Sequence, residues 1–483
     1  MKKILLLIIT IAASLSLTAQ DGTTLHFMRL NPYSKYSNPS TFLQYNGHIG
    51  IPAISNINMA LTNTSLPYNV IFGEDNNGSI TTLKLNDLAD HLSEKNNFLN
   101  TSFAINIIDF GFRVKRMHFD FSYRIRSEEY LSFNRDMIAL PVHGNMYYAN
   151  QNKTATPELK LSLNAFHEFS FGIQAEITPQ IYIGVRPKLL FGLAHAKTKN
   201  AKASLYTNPD DYSLTLSYDI DADLSCSIPY SIDKDSSGKT AFNFSPDEFP
   251  SQWQNAFKNA GAAIDLGFTY RINNMFGISA SVLDLGFICW KTNNYHIQGQ
   301  VSESGPYYDD GSFIFDGLTT DDFQDDDDSQ NILNTILEYF PVNFEQPKMT
   351  HMLAGRFLVE GYCNVGKYHR FSALFQGRIV NKQFLPSFTV AWNGTFLNYF
   401  DLCVNYTISK RSYGNIGLGI GLNLAVFHIY VATDNILAIC TSKSPQRSLL
   451  NARNANIQLG FVFDWGKVKE TKIEKITQRK HND

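Results

Sequence analysis

Residues 159–198 read LKLSLNAFHEFSFGIQAEITPQIYIGVRPKLLFGLAHAKT. Apolar side chains recur at every second position on both sides of a short turn at 178–180, and the positions between them are mostly polar. A period of two gives an extended strand one apolar face and one polar face. Each arm is longer than the ~5–6 residues common in soluble sheets and reaches the roughly 9–11 residues that cross a bilayer. The stretch therefore predicts two adjacent membrane-spanning strands.

The same alternation recurs along the rest of the chain. It is found at 48–61, 119–126, 212–221, 264–271, 370–379, 387–393, 400–408, 416–424 and 457–465. We therefore predict an all-β protein, an antiparallel transmembrane β-barrel of about 14 to 16 strands with short loop helices. The alternation does not close between 198 and 262, and a further strand near Thr240–Phe244 would restore it.

The predicted strands contain two phase changes. The parity of the apolar positions switches between Ile107 and Ile108 and again near Val282 and Leu283, as a one-residue β-bulge would cause. Short turns are predicted at 115–116, 178–180, 272–274 and 396–397, and long connections at 128–156, 226–261, 290–346 and 436–454. Short turns at one rim and long loops at the other are typical of outer-membrane barrels.

Three short helices are predicted in the loops. The first is capped by Asn86 and carries Leu88, Ala89 and Leu92. The second begins at the capping-box sequence 245–248, and the third covers 331–340 and stops at a proline. Two interpretations remain open, namely packing within the loops or an amphipathic segment that gates the lumen.

The chain divides into four parts. Two lysines, an apolar run at 4–17 and the small-residue site at 17–19 predict a cleaved signal peptide at 1–19. An uncleaved membrane helix is the alternative, but the run is shorter than the roughly 20 residues needed. Residues 20–47 form an N-terminal segment or plug, and 48–466 form the barrel. The charged tail at 467–483 is expected outside the barrel, disordered or associated with another component.

Composition excludes several functional classes. The net charge is −3, so there is no basic footprint for nucleic acid. The five cysteines are widely spaced without a CxxC pair, which supports neither a disulfide framework nor a zinc cage. The aromatic content of 13% fits the aromatic girdles of a membrane barrel. No metal site and no cofactor are expected.

Several blocks carry a resemblance to a known family. Residues 97–133 read NFLNTSFAINIIDFGFRVKRMHFDFSYRIRSEEYLSF and 261–293 read GAAIDLGFTYRINNMFGISASVLDLGFICWKTN. Between them lie EFSFG at 168–172 and IGVRPKLLFG at 183–192, and FIFDG follows at 313–317. In this order they resemble a family of uncharacterised Bacteroidota outer-membrane β-barrel proteins, annotated only as a domain of unknown function.

That family looks related to the FadL-like barrels, which include fatty-acid transporters and the PorV-type shuttle protein of type IX secretion. The Asn-Pro steps at 31–32 and 38–39 are similar to an N-terminal feature of such barrels. The resemblance covers nearly the whole mature chain and implies a barrel, but it carries over no catalytic residues. The charged tail departs from barrels that end on an aromatic residue.

Signatures of enzymatic chemistry are missing from the sequence, which contains no GxSxG, HExxH or phosphate-binding loop. The glycines at 417–421 lie on an alternating strand, where small inward residues leave room in the lumen. The acidic stretch 321–328 lacks the spacing of a calcium loop. It is either a solvated outer loop or a weak divalent-ion site that bridges lipopolysaccharide. We therefore predict that the protein is not an enzyme.

Strand parity places a set of charged side chains in the lumen, away from lipid. These candidate site residues are Arg124, Arg126, Arg186, Lys188, Arg356, Arg370 and Arg378, with Glu168, Asp265, Glu360 and Asp401 as partners. One interpretation is a network of cross-barrel ion pairs. The other is a basic interior that attracts anionic solutes or fatty carboxylates.

Two functions follow as hypotheses. The first is a non-enzymatic binding or assembly component of the cell envelope, located in the outer membrane and in contact with lipid, lipopolysaccharide and secretion or surface proteins. Its outer loops, particularly 290–346, would form the contact surface. The second is passage of a small hydrophobic or amphipathic ligand, as in FadL-like transporters. It predicts a plug at about 20–44, a lumen pocket and a kinked strand that opens sideways into lipid.

Overall fold

A computed structural model describes the chain over thirteen ranges. These are 22–63, 68–74, 80–95, 97–227, 230–234, 240–244, 253–301, 343–380, 383–396, 399–409, 412–424, 426–440 and 454–473. The start of the second predicted helix at 245–248, the third predicted helix at 331–340 and the acidic stretch 321–328 lie outside these residues, as does the signal segment 1–19. The later part of the second helix is present as the short helix Trp253–Lys258.

Strands account for most of the described residues. They are Tyr45–Gly50, Ile57–Asn63, Phe72–Glu74, Ile80–Leu83, Asn97–Val114, Met117–Phe133, Leu159–Glu176, Ile181–Thr207, Leu214–Cys226, Tyr230–Lys234, Thr240–Phe244, Ala260–Arg271, Phe276–Trp290, Asn294–Val301, Asn343–Glu345, Met349–Met352, Arg356–Val365, His369–Val380, Gln383–Phe396, Phe400–Ser409, Ser412–Leu424, Phe427–Thr433 and Asn454–Lys467. The helices are short. They are Thr23–Phe27, Pro32–Tyr36, Tyr68–Ile71, Leu85–His91, Asp136–His143, Met146–Ala149, Trp253–Lys258 and Leu437–Cys440.

The sheet closes through its first and last strands. Tyr45–Gly50 and Ile57–Asn63 both pair with Asn454–Lys467 on one side and with Asn97–Val114 on the other. They are therefore two parts of a single interrupted strand. Counted in this way, the chain forms a closed antiparallel barrel of 14 strands, which confirms the predicted fold class.

A split strand explains why the alternation failed to close between 198 and 262. Ile181–Thr207 pairs along its first half with Ala260–Arg271 and along its second half with Leu214–Cys226. The returning strand is thus interrupted by the insertion 227–259. A strand does exist at Thr240–Phe244, but it pairs with Tyr230–Lys234 in a separate hairpin. The expectation that this strand would complete the barrel was wrong.

The outer face of the barrel is apolar. Along Phe276–Trp290, large apolar side chains such as Ile278 and Phe287 are exposed, whereas Ser279 and Ser281 are buried. Other strands repeat this pattern with Phe110, Phe112, Phe171, Val359, Phe371, Phe388, Val390 and Ile429 exposed. Apolar residues outside and polar residues inside is the arrangement of membrane barrels. Among the described residues, no helix is long and apolar enough to cross a membrane.

Both predicted phase changes coincide with irregular pairing. On Asn97–Val114 the register shifts between Asn106 and Ile108. On Phe276–Trp290 two residues, Leu283 and Asp284, lie opposite the single residue Asp265 of the neighbouring strand. Asp284 has a left-handed φ of 59°, the conformation of a bulge that turns an extra side chain inward. Because of this bulge, Leu283 and Asp284 are both buried.

The connections also follow the predicted division. The turns at 115–116, 177–180, 272–275 and 366–368 are short and lie at one end of the barrel, which we call the short-turn end. The predicted turn at 396–397 lies partly outside the described residues. The first predicted helix is present as Leu85–His91 and buries Leu88 and Ala89, but Lys84 stands at the cap position, so the predicted cap at Asn86 was wrong. It packs with Phe133 at the opposite, long-loop end.

Candidate functional site in the barrel lumen

The N-terminal segment 22–44, here called the plug, lies inside the barrel. Its apolar side chains, including Phe27 and Met28, are buried against lumen-facing residues of several strands. Both Asn-Pro steps order the segment locally. The side chain of Asn31 accepts a hydrogen bond from Tyr33 N at 2.9 Å, and Asn38 accepts one from Ser40 N at 2.9 Å, as helix and turn caps do.

Glycines in the barrel wall leave room for the plug. A Cβ at Gly184 would lie 2.1 Å from the carbonyl carbon of Pro39, and one at Gly419 would lie 2.7 Å from Met28 Sδ. The glycines at 417–421 therefore leave room in the lumen, and side chains of the plug fill this room.

Replacing one of these glycines tests this packing. We expect Gly184→Leu to displace the plug and to lower the free energy of unfolding by about 1–3 kcal/mol, because the opposing atoms are backbone atoms of Pro39 and cannot rotate away. Protease cleavage of the N-terminal segment in the folded barrel measures the displacement. Gly361→Leu is the control, since no atom lies within 4 Å of its added Cβ. Equal cleavage of both variants would contradict the packing.

Backbone groups of the plug are bonded to carboxylates of the wall. Asp434 Oδ1 accepts hydrogen bonds from Thr24 N at 2.7 Å and Thr24 Oγ1 at 2.6 Å. Asp401 Oδ2 accepts one from Leu30 N at 3.0 Å. Asp401 therefore acts in the lumen as a plug contact and not as the partner of a basic strand residue.

A buried ion cluster fixes the centre of the plug. Lys35 Nζ lies 3.1 Å from Asp109 Oδ2, 3.3 Å from Asp120 Oδ1 and 3.0 Å from His48 Nε2. Arg186 donates to Asp120 at 2.9 Å and to the Lys35 carbonyl oxygen at 3.0 Å. The side chains of Lys35, Asp109 and Asp120 are at most 5% exposed. Buried charges are tolerated only when they are paired in this way. The ion pairs therefore fix the position of the plug in addition to its apolar packing.

A second ion cluster lies around the bulge residue Asp284. This carboxylate is 2.8 Å from Arg126, 2.7 Å from Lys188 and 3.0 Å from Arg356. Asp265 contacts Lys188 at 2.7 Å and accepts a hydrogen bond from Asp284 N at 2.8 Å. One carboxylate thus joins three cations from three different strands.

Two glutamates extend the Asp284 cluster. Glu168 pairs with Arg124 and also lies 2.6 Å from Arg126. Glu128 pairs with Arg126 and lies 2.7 Å from Arg378. The structure therefore brings together seven of the predicted lumen residues, namely Arg124, Arg126, Glu168, Lys188, Asp265, Arg356 and Arg378. Each of the five basic residues among them has a carboxylate partner, as in the ion-pair interpretation.

The remaining predicted residues lie apart from this cluster. Glu360 faces the plug, 3.3 Å from His26 Nε2. Arg370 donates to Asn364 at 2.8 Å and lies 4.0 Å from the centroid of the Tyr362 ring. Arg186 belongs to the Lys35 cluster. Glu360, Arg370 and Asp401 therefore lie outside the Asp284 cluster, although strand parity places them in the same lumen.

Sequence reasoning missed five charged residues of the two clusters, Lys35, Asp109, Asp120, Glu128 and Asp284. Asp284 had a usable signal, because it directly follows the predicted phase change at Val282 and Leu283. A bulge adds one inward side chain, and that side chain is the aspartate. Lys35 had no such signal, because the apolar residues of the plug follow neither the period of a strand nor that of a helix.

The described part of the tail contacts the short-turn end. Val468 N donates to the Gln44 carbonyl oxygen at 2.9 Å. Arg271 lies 3.5 Å from Glu470, and Ile473 N donates to Asn274 at 3.0 Å. Residues 468–473 thus bond to the barrel's own rim, which corrects the expectation of a free tail for this part. Residues 474–483 lie outside the described residues.

The cavities differ in size and position. Two cavities of about 60 Å³ each lie beside the plug. A cavity of about 900 Å³, here called the cleft, lies at the long-loop end. The cleft is lined by charged and tyrosine side chains, including Lys95, Arg135, Asp136, Tyr147, Lys153, Glu158, Lys160, Lys202, Tyr218 and Asp219.

A sequence profile described as "Family of unknown function (DUF5723)" matches residues 39–434. The chain belongs to this family. The match covers the end of the plug, from residue 39, and most of the barrel of this DUF5723 chain. None of the curated proteins matches it significantly.

Solved structures similar to this DUF5723 chain are barrels of low sequence identity. The toluene transporter TodX of Pseudomonas putida is 8% identical with a TM-score of 0.37, and the match covers 90% of this chain and 94% of that chain. The CymD monoaromatic hydrocarbon channel is 7% identical with a TM-score of 0.33, over 91% and 94%. A mutant porin of Rh. blastica is 7% identical with a TM-score of 0.25, over 87% and 99%.

Proposed function

We propose that this chain is a non-enzymatic outer-membrane β-barrel that binds a polar segment of a secretion or surface protein in its cleft. The apolar outer face supports residence in a membrane, because exposed apolar surface of this extent would be unstable in water. The predicted signal peptide supports export, and the short turns would then face the periplasm. The long-loop end and the cleft would face outward.

The observation that carries the proposal is the occupied lumen. The plug and the two ion clusters lie inside the barrel, and the two cavities beside the plug, of about 60 Å³ each, are too small for most solutes. The cleft, with a volume of about 900 Å³, lies at the end that would face the cell exterior. A barrel built in this way is suited to holding something at its outer end.

The chemistry of the cleft indicates the kind of partner. Its lining combines lysines, such as Lys153 and Lys202, with acidic residues such as Asp136 and Asp219. Tyrosines at 147 and 218 add flat surfaces with a polar tip. Tyrosine is enriched in protein interfaces, and a lining with this many charged groups is less suited to an apolar solute. The PorV-type resemblance of the sequence implies the same class of partner.

Site-specific photocrosslinking in intact cells tests this function. A photoreactive residue at Lys153 or Lys202 should give a discrete adduct with an envelope protein. The same residue at Lys115, in a short turn at the opposite end, should not give that adduct. Adducts that are absent from both cleft positions, or identical at all three positions, would contradict the proposal.

A second function, passage of a small hydrophobic or amphipathic solute, is favoured by the interrupted first strand. Residues 51–56 leave the ladder opposite the bulge at Asn106, and Pro52, Ala53 and Ile54 are exposed there. One of the small lumen cavities lies behind the break and is lined by Tyr33 and Phe103. Together with the FadL-like resemblance, these features form a candidate sideways route that would require the plug to move.

Uptake by proteoliposomes separates the two functions. Thr24→Cys and Asp434→Cys place two thiols where side chains are in hydrogen-bond contact, and oxidation would fix the plug. Passage predicts that the wild-type barrel speeds uptake of a fluorescent fatty acid, that oxidation of the double variant stops it, and that reductant restores it. Uptake equal to that of empty liposomes would exclude passage and favour the binding role.

A further inference from the structure

Three metal-ligating side chains converge on the long-loop end of the barrel, away from both ion clusters. Asp221, Asp223 and His296 each offer a ligand atom, and these atoms lie within 4.8 Å of one another. His296 Nδ1 is 2.7 Å from Asp223 Oδ1 and 3.8 Å from Asp221 Oδ1. The three residues form a compact set of two carboxylates and one imidazole.

The strand register explains why these residues meet. Asp223 is directly opposite His296 in the antiparallel pair, and directly opposite side chains point to the same face. Asp221 is two residues from Asp223, so it shares that face as well. The arrangement is therefore fixed by backbone pairing and does not depend on loop conformation.

A second imidazole faces the same carboxylate from another strand. His351 Nε2 lies 3.2 Å from Asp223 Oδ2, and the His351 side chain is only 10% exposed. Neither His351 Nε2 nor Asp221 Oδ1 makes a hydrogen bond of regular geometry, although both atoms are buried. Each has an ion-pair neighbour instead, Asp223 for His351 and Lys199 for Asp221.

The ring of His351 is held in place by its neighbours. His195 stacks on the His351 ring with a centroid distance of 4.0 Å. Trp290 in turn stacks on His195 with a centroid distance of 5.2 Å. His195 Nδ1 is in turn bonded to Asn164 Oδ1 at 2.7 Å. A ligand that is oriented before binding loses less conformational freedom when it coordinates a metal.

We propose that Asp221, Asp223 and His296 bind a divalent transition-metal ion, with Zn²⁺ as the best match and with His351, beside Asp223, as the neighbouring group that can complete its coordination. Imidazole nitrogens together with carboxylate oxygens are the ligand set of zinc sites. Calcium and magnesium prefer oxygen ligands alone. The site does not depend on the function proposed for the cleft.

The positive charge of Lys199 lies next to the two carboxylates that would hold the metal ion. A register shift between Thr198 and Asn200 inserts Lys199 next to the carboxylates, and its Nζ lies 3.3 Å from Asp221 Oδ1 and 3.3 Å from Asp223 Oδ2. Its side chain is 47% exposed, so it can move into solvent when a cation binds. Lysine and metal compete for the same two carboxylates.

Spacing could not have indicated this site. Asp223 and His296 are separated by 73 positions and come together only through strand pairing. The sequence therefore predicted no metal, and the site follows from the register alone.

Metal titration of the full-length purified barrel tests the inference. After removal of any affinity tag and treatment with a chelator, Zn²⁺ should bind with one saturable site, and Co²⁺ should give the visible absorption of a nitrogen- and oxygen-ligated ion. Asp223→Asn and His296→Gln should each weaken Zn²⁺ binding by about 100-fold. Lys199→Met should tighten it, because a competing cation is removed.

The matched control is His143→Gln. This histidine lies near a single carboxylate, Asp90, at 3.9 Å, and its replacement should leave Zn²⁺ affinity unchanged. The inference is overturned if the wild-type barrel shows no saturable site, or if Asp223→Asn and His296→Gln bind as tightly as wild type. Should those variants fail to fold, as judged by heat-modifiable migration in gels, Lys199→Met decides, and unchanged affinity there also overturns the site.

Discussion

Asp284→Asn is expected to lower the free energy of unfolding of the barrel by about 3–5 kcal/mol, the range found when one partner of a buried ion pair is removed. The substitution keeps the shape of the side chain and removes its charge. Arg126, Lys188 and Arg356 would then lose the carboxylate that all three contact within 3.0 Å. Denaturant unfolding in detergent, followed by tryptophan fluorescence, measures the loss.

Asp90→Asn is the matched control for this prediction. Asp90 pairs with Arg135 at 2.9 Å, but its side chain is 66% exposed. Exposed pairs contribute no more than about 1 kcal/mol, because solvent screens them. A similar loss of stability in Asp90→Asn and Asp284→Asn would show that burial of the Asp284 cluster does not determine its contribution.

Lys35→Met is expected to release the plug from the barrel wall. The substitution leaves Asp109 and Asp120 buried without the cation that lies 3.1 and 3.3 Å from them. A cost of about 3 kcal/mol for such a loss corresponds to a roughly 100-fold larger population with the plug displaced. The buried neighbour Ser34 can report this population as Ser34→Cys, in a background whose five native cysteines are replaced by serine.

The measurement is the rate at which a water-soluble maleimide labels the reporter cysteine. We expect slow labelling with Lys35 present and fast labelling with Lys35→Met. Lys84→Met serves as the control, because Lys84 and Asp87 form an exposed pair 4.0 Å apart. If Lys35→Met leaves the labelling rate unchanged, the plug is held by packing alone and the Lys35 cluster has no part in closing the lumen.

The barrel was predictable because lipid imposes one rule on every strand. Phe276, Ile278 and Phe287 had to face outward, and a period of two records that requirement in the sequence. The split of the strand formed by Leu214–Cys226 and Ala260–Arg271 was hidden, because an insertion between two halves of a strand leaves no periodic trace. For this reason Thr240–Phe244 was assigned to the barrel in error.

The lumen was predictable only in part. Parity identified residues such as Arg126 and Lys188 as inward-facing, but it carries no information on height along the barrel. It therefore could not separate the Asp284 cluster from the contacts of Glu360 with the plug. Lys35 lies in a segment without periodicity, and its partners Asp109 and Asp120 come from two different strands. Only the folded structure reveals that the plug supplies the cation.

A spin-label scan along Phe276–Trp290 in lipid vesicles tests the central claim most directly. The claim is a closed barrel whose outer face contacts acyl chains. It predicts that labels at 276, 278 and 280 are accessible to oxygen dissolved in lipid, that labels at 277 and 279 are not, and that the alternation changes phase at Asp284. Accessibility to a water-soluble relaxation agent at the even positions, or no alternation at all, would contradict the membrane barrel and both functions proposed for it.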